Sequence, residues 1–151
     1  MKKIATTLLS IMLLVCLVGC NNATKPSIED YIWRMRTVMS NDIELADSED
    51  IVLAVGEPDE LYPNAKLVEL TLVAKNSRIM ITDATNNKTY EGTYKVSGKN
   101  PKGTDYEVTI DGKHGYATVA MTKYYDDMEE PTLPINLGDY SIYFYGEAFE
   151  E

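Results

Sequence analysis

From Leu67 to Tyr125 the chain alternates apolar and polar side chains, with polar breaks at short intervals. A period of two is that of a half-buried strand, because successive side chains point to opposite faces of a sheet. Val68, Leu70, Leu72 and Ala74 share one side and Glu69 and Thr71 the other, with Val73 as the exception. After Asn76-Ser77, Ile79 and Ile81 alternate with Arg78, Met80 and Thr82. Residues 83–88 are mostly polar and read as a break. Tyr90, Gly92, Tyr94 and Val96 then share a face opposite Thr89, Glu91, Thr93 and Lys95. The run Ser97–Gly103 holds two glycines and a proline and predicts a loop. Tyr106, Val108 and Ile110 alternate with Glu107 and Thr109. Asp111-Gly112 follows, a dipeptide suited to hairpin positions of positive φ. Ala117, Val119 and Met121 then lie opposite Tyr116, Thr118, Ala120 and Thr122.

The flanks are less regular. Ser27-Ile28-Glu29-Asp30 carries helix-start chemistry, with Ser27 as a cap and Asp30 at the third helical position. A helical stripe of Ile28, Ile32 and Met35 competes with a strand placing Trp33, Met35 and Thr37 on one face. The β-branched Thr37 and Val38 favour a short turn over 27–30 and then a strand over about 31–39. Residues 40–50 form an acidic connection, Ile51–Val55 a short apolar strand, and 56–60 and 62–65 turns. Pro131 and Pro134 bracket a short extended piece, since proline cannot serve a central ladder. Residues 136–139 turn the chain into a last strand, with Tyr140, Ile142 and Phe144 opposite Tyr143 and Tyr145.

No stretch is long enough for a crossover helix, so sequential strands are expected to pair antiparallel. The prediction is an all-β meander of about seven or eight strands. Closure into a barrel would remove exposed edges, and a β-sandwich is the alternative.

The first residues address the chain rather than fold it. Lys2 and Lys3 precede a mostly apolar stretch, 4–18, that is short for a membrane span. It ends Leu17-Val18-Gly19-Cys20. This ending resembles the lipobox of bacterial lipoproteins, with Val18 bulkier than the commonest residue at its position. The resemblance, which covers the first 20 residues, implies cleavage before Cys20 and its acylation. It divides the chain into a signal peptide (1–19), the lipidated Cys20 with a short spacer (20–25) and one β domain (26–151). It also implies a cell membrane or outer membrane location, with the domain outside the cytoplasm. An ordinary leader cut near Gly19 is the competing reading. With Cys16 in the leader and Cys20 at its end, the domain holds no cysteine and no disulfide framework.

The strand pattern resembles the small lipocalin-like barrels of bacterial envelope lipoproteins, in which an early tryptophan opens the first strand. Trp33 in YIWRM stands at the matching position, although no Gly-x-Trp precedes it. Ligand binding does not transfer with the resemblance, because small barrels can be filled by their own side chains.

Charge and chemistry narrow the function. The formal charge of −10 becomes −12 once Lys2 and Lys3 leave with the leader. Such a domain is expected to be repelled by phosphate backbones and by anionic bilayer surfaces, so nucleic acid is not an expected partner. His114, the only histidine, sits in the Asp111–Gly115 turn and reads as an exposed turn residue. The acidic clusters Asp42–Asp50 and Asp126–Glu130 lack the spacing of a calcium loop, so no metal and no cofactor is expected. No catalytic residue is nominated. A glycan-directed enzyme using paired carboxylates stays open as an alternative, as does a structural or assembly lipoprotein.

The 11 tyrosines outnumber two Phe and one Trp. Trp33, Tyr90, Tyr94, Tyr106, Tyr116, Tyr140 and Phe144 are expected in the core. Tyr124, Tyr125, Tyr143 and Tyr145 are candidates for a ligand or partner contact, since Tyr is favoured at interfaces. The leading expectation is a membrane-anchored, extracytoplasmic binding or interaction module without catalysis. Its partners would be membrane lipid through acylated Cys20, and an apolar small molecule or an envelope protein.

Overall fold

A computed structural model describes residues 25–40, 53–54, 66–124 and 128–150. Ten strands are present among them: β1 (Ile32–Ser40), β2 (Leu53–Ala54), β3 (Lys66–Leu67), β4 (Leu70–Lys75), β5 (Arg78–Asp83), β6 (Lys88–Asn100), β7 (Gly103–Ile110), β8 (Lys113–Lys123), β9 (Glu129–Leu137) and β10 (Tyr140–Glu147). From β4 to β10 each strand pairs antiparallel with the next. β1 closes the circle by pairing with both β10 and β4. The result is the expected all-β protein, an eight-stranded closed antiparallel barrel of lipocalin-like form. Closure leaves these eight strands without a free edge.

The inward face follows the alternation read above. Trp33, Leu72, Ile79, Ile81, Tyr106, Val108, Ile110, Ala117, Val119, Leu133, Ile135 and Phe144 are each no more than 3% exposed. Turn chemistry sets the register. Asp111 (φ 49°) and Gly112 (φ 77°) both adopt positive φ, the requirement of a tight two-residue hairpin. Gly115 lets β8 approach β9 closely, because a Cβ there would lie 2.1 Å from the Asn136 carbonyl oxygen.

The short turn expected over 27–30 forms, and its capping chemistry is used without a helix, whereas the loop expected over 97–103 and the short piece expected between the prolines are corrected. The Ser27 amide donates to Asp30 Oδ2 at 2.7 Å and the Glu29 amide to Ser27 Oγ at 3.4 Å, and β1 then begins at Ile32. The polar run 97–103 is mostly strand, because β6 continues to Asn100 and β7 starts at Gly103. The Asn100 side chain holds the turn, accepting from the Lys102 and Gly103 amides at 2.9 and 3.0 Å. A bulge between Val96 and Gly98 bends this hairpin, and Val96 is 54% exposed despite its core parity. Both prolines lie inside β9, between β8 and β10. The β8–β9 register lapses between Ala117↔Ile135 and Ala120↔Thr132, beside Pro134, which has no N–H to give.

The two ends of the barrel differ. At one, β1 starts, and the β4–β5 and β6–β7 turns lie beside the preceding residues 25–31. At the other, β2 enters between β1 and β3. Thr37 and Val38 pair with Ala54 and Leu53, which pair parallel with Leu67 and Lys66. This short parallel pair is a departure from the expected meander. Only Trp33 and Arg34 of β1 pair with β4, so β2 acts as a wedge in the wall.

Candidate functional site

The barrel interior comes first, as the usual site of a small ligand in such folds. Trp33, Leu72, Val119, Leu133 and Ile135 are 0% exposed. A cavity large enough for water would leave its lining accessible, so these side chains border none. They fill the middle of the barrel themselves. Leu70, Tyr90, Leu137 and Ile142 pack against this core but are only partly buried.

Residues 25–31 close one end. The Trp33 indole N–H donates to the Ile28 carbonyl at 2.8 Å, and the Ile28 amide donates to the Tyr106 hydroxyl at 3.2 Å. Ile28 and Trp33 are both 0% exposed, so these bonds satisfy polar groups cut off from water. Tyr31 meets the Trp33 ring edge-on at 5.2 Å, and Tyr94 meets Tyr106 at 5.6 Å. The Tyr94 hydroxyl donates to Glu29 Oε1, which also accepts the Asn76 amide at 2.8 Å. These bonds, with the Tyr94 hydroxyl foremost, hold the Glu29 carboxyl below its usual range. Burial and the bond to Glu29 push the Tyr94 phenol up to about 12. Lys25 Nζ donates to the Asn100 carbonyl, fastening the start of the segment to the β6–β7 turn.

The outer face at the β10–β1 seam carries the second arrangement. A bulge between Met35 and Thr37 leaves Arg36 without a partner in the β1–β10 register, and its side chain is directed outward. The guanidinium lies 5.5 Å from the Tyr124 ring centroid and 5.2 Å from that of Tyr145. Its Nη1 donates to the Tyr124 hydroxyl at 3.2 Å and its Nη2 to Glu130 Oε2 at 3.3 Å. Glu130 Oε1 is 2.8 Å from Nη1 but accepts no aligned hydrogen bond, so that contact is ion pairing. Arg34 bridges Glu147 at 3.0 Å and Thr71 Oγ1 at 3.1 Å. Arg36 thus ties β1 to the ends of β8 and β9 across β10.

Of the contact candidates, Tyr124 and Tyr145 meet through Arg36, and Tyr143 stands exposed two residues from Tyr145 on the same outer face. Tyr125 and Cys20 lie outside the described residues. Of the core candidates, Trp33, Tyr106 and Phe144 are buried, and Tyr90 and Tyr94 are half-buried. Tyr116 and Tyr140 are corrections, at 67% and 37% exposed. Tyr116 lies between the inward Gly115 and Ala117 and so points out. Tyr140 has core parity but follows the Gly138-Asp139 turn, where the chain enters the wall at its rim. His114 is exposed, with Nδ1 2.9 Å from Thr109 Oγ1. It borders an outer groove of about 400 Å³ with Lys95, Glu107 and Tyr116. Arg36, Glu130 and Glu29 were not nominated from sequence, and the only available signal was a charged side chain inside or beside an apolar strand.

Among the described residues, no group of three or more His, Cys, Asp or Glu side chains is placed to hold a metal ion. No helix among them is long and apolar enough to cross a membrane. Compared with protein-family models, curated proteins and solved structures, the chain matches none. The geometry by itself defines a closed β-barrel of the kind used generically by binding modules.

Proposed function

We propose that the protein is a lipid-anchored, extracytoplasmic interaction module that recognises an envelope protein with the outside of its barrel. The observation that carries this reading is the division of aromatic side chains. Trp33, Tyr106 and Phe144 occupy the interior, whereas Tyr124, Tyr143 and Tyr145 stand on the outer wall around Arg36. Tyrosine and arginine are the side chains most often found at the energetic centres of protein interfaces. The anchor rests on the Leu17–Cys20 ending alone.

A photo-crosslinking residue placed at Tyr143 in cells tests the reading. Thr89, exposed on β6 on the opposite side of the barrel, serves as the control. One discrete crosslinked partner from position 143 and none from 89 is the expected result. Equal products from both, or none from 143, would remove the proposed face. Labelled fatty-acid incorporation, lost in Cys20→Ala, tests the anchor separately.

A further inference from the structure

The chain is strongly acidic, yet its cations are not evenly spread. Fourteen Lys and Arg less Lys2 and Lys3 of the leader leave twelve. Five of these twelve, Lys25, Lys75, Arg78, Lys99 and Lys102, are exposed at one end of the barrel. The topology brings them together. Lys75 and Arg78 flank the β4–β5 turn, Lys99 and Lys102 flank the tip of the β6–β7 hairpin, and Lys25 bonds the carbonyl of Asn100 in that hairpin. The nearby carboxylates accept hydrogen bonds from neutral groups, so they partly offset the five cations. Glu29 accepts from Tyr94 and Asn76, Asp30 from Ser27, and Asp105 from Asn100 and Thr118. The other half of the same end is mixed, with Glu129, Glu147 and Glu150 exposed beside Lys123 and Arg34, so the uninterrupted run of basic residues is an arc on the β4–β7 side. In sequence, the segments 41–52 and 55–65 carry eight carboxylates and no Lys or Arg.

We propose that this arc is a membrane-facing surface that binds anionic phospholipid headgroups and tilts the barrel with its β4–β7 side down. The inference rests on the anchor at Cys20 for its geometry. Four residues separate Cys20 from Lys25, so the five steps between them reach at most about 18 Å even when fully extended. A lipid at Cys20 therefore holds this end, and not the end of the β9–β10 turn, against the bilayer. Beside the arc, an open outer groove of about 700 Å³ is bordered by Lys75 and Arg78, by the apolar Val73 and Met80, and by Glu91. Cations next to an apolar floor match a phospholipid, whose phosphate adjoins its acyl chains. Each Lys or Arg close to an anionic surface shifts partitioning roughly five-fold, so the arc's excess of cations over the adjoining carboxylates biases orientation toward this side.

The test uses the acylated full-length protein in vesicles of phosphatidylcholine with or without phosphatidylglycerol. Mass spectrometry first establishes that Cys20 carries lipid. Fluorophores are placed singly through Pro101→Cys, in the β6–β7 turn, and Asp139→Cys, in the β9–β10 turn, and quenched by a headgroup-labelled lipid. The expected result is strong quenching at 101 and little at 139 in anionic vesicles. The contrast should fall several-fold in pure phosphatidylcholine and in Lys75→Glu/Arg78→Glu/Lys102→Glu. Equal quenching at both sites, or a contrast indifferent to phosphatidylglycerol and to charge reversal, would overturn the proposal with the anchor intact. If Cys20 proves unacylated, the anchor reading fails by itself. The arc is then judged by sedimentation of the protein with anionic vesicles, binding that the triple variant loses supporting it and absence of binding overturning it.

Discussion

The two mouths of this barrel are built by different means. One is closed by residues 25–31, whose polar groups bond to side chains far away in sequence: Ile28 to Tyr106 and Glu29 to Tyr94. The other is bounded by tight hairpin turns and by the β2 wedge, with Leu70, Leu137 and Ile142 only partly buried. The first mouth is held by long-range bonds, and the one from the Ile28 amide to Tyr106 is cut off from water, so its loss leaves a stranded donor. The second is held by local turn geometry, which tolerates truncation of a side chain. The difference assigns stability to one end and room for variation to the other.

Substitutions should separate the ends by size of effect. Trp33→Ala removes the largest fully buried side chain and the donor to Ile28, and should cost about 3–5 kcal/mol in urea unfolding. Leu137→Ala at the other mouth should cost about 1–2 kcal/mol, in proportion to its partial burial. Equal losses would erase the distinction between the ends. Tyr106→Phe keeps the ring and strands the Ile28 amide, for an expected loss of about 1–3 kcal/mol in the same assay.

The smallest effect is the most specific. The Glu29 carboxyl is held below its usual range, so its bond to Tyr94 contributes stability at neutral pH that is lost as pH falls through the depressed value. The Tyr94 phenol is raised to about 12, so its contribution is complete below about 10 and disappears as pH climbs toward 12. Both shifts include the same hydrogen bond and count it once. Thermal melts of Glu29→Gln should show a flatter acid limb than the parent, with little change at pH 7 because Glu29 is exposed. An unchanged acid limb would mean that this bond does not hold the segment.

The same contrast explains what the sequence disclosed. Alternation placed Leu72, Ile79, Ile81, Val108, Ala117 and Val119 inside, because a strand's period is local. Asp111-Gly112 marked its hairpin for the same reason. Residues 97–103 misled, because Asn100 satisfies the turn amides that composition assigned to a loop. Pro131 and Pro134 misled because a ladder can lapse at one proline and resume on either side. Arg36 was illegible as a site, since one bulge residue shifts the inward position after it from Thr37 to Val38.

The middle of the barrel is filled by its own side chains, which leaves the outer surface for the interaction proposed above. Trp33, the only tryptophan, sits inside the closed end and reports on the interior directly. The decisive measurement is energy transfer from Trp33 to N-phenyl-1-naphthylamine, an apolar fluorophore, titrated into the folded protein. A filled barrel should show a blue-shifted Trp33 emission and no saturable transfer at any probe concentration below aggregation. Saturable transfer at one probe per chain would show an accessible apolar interior and contradict the account.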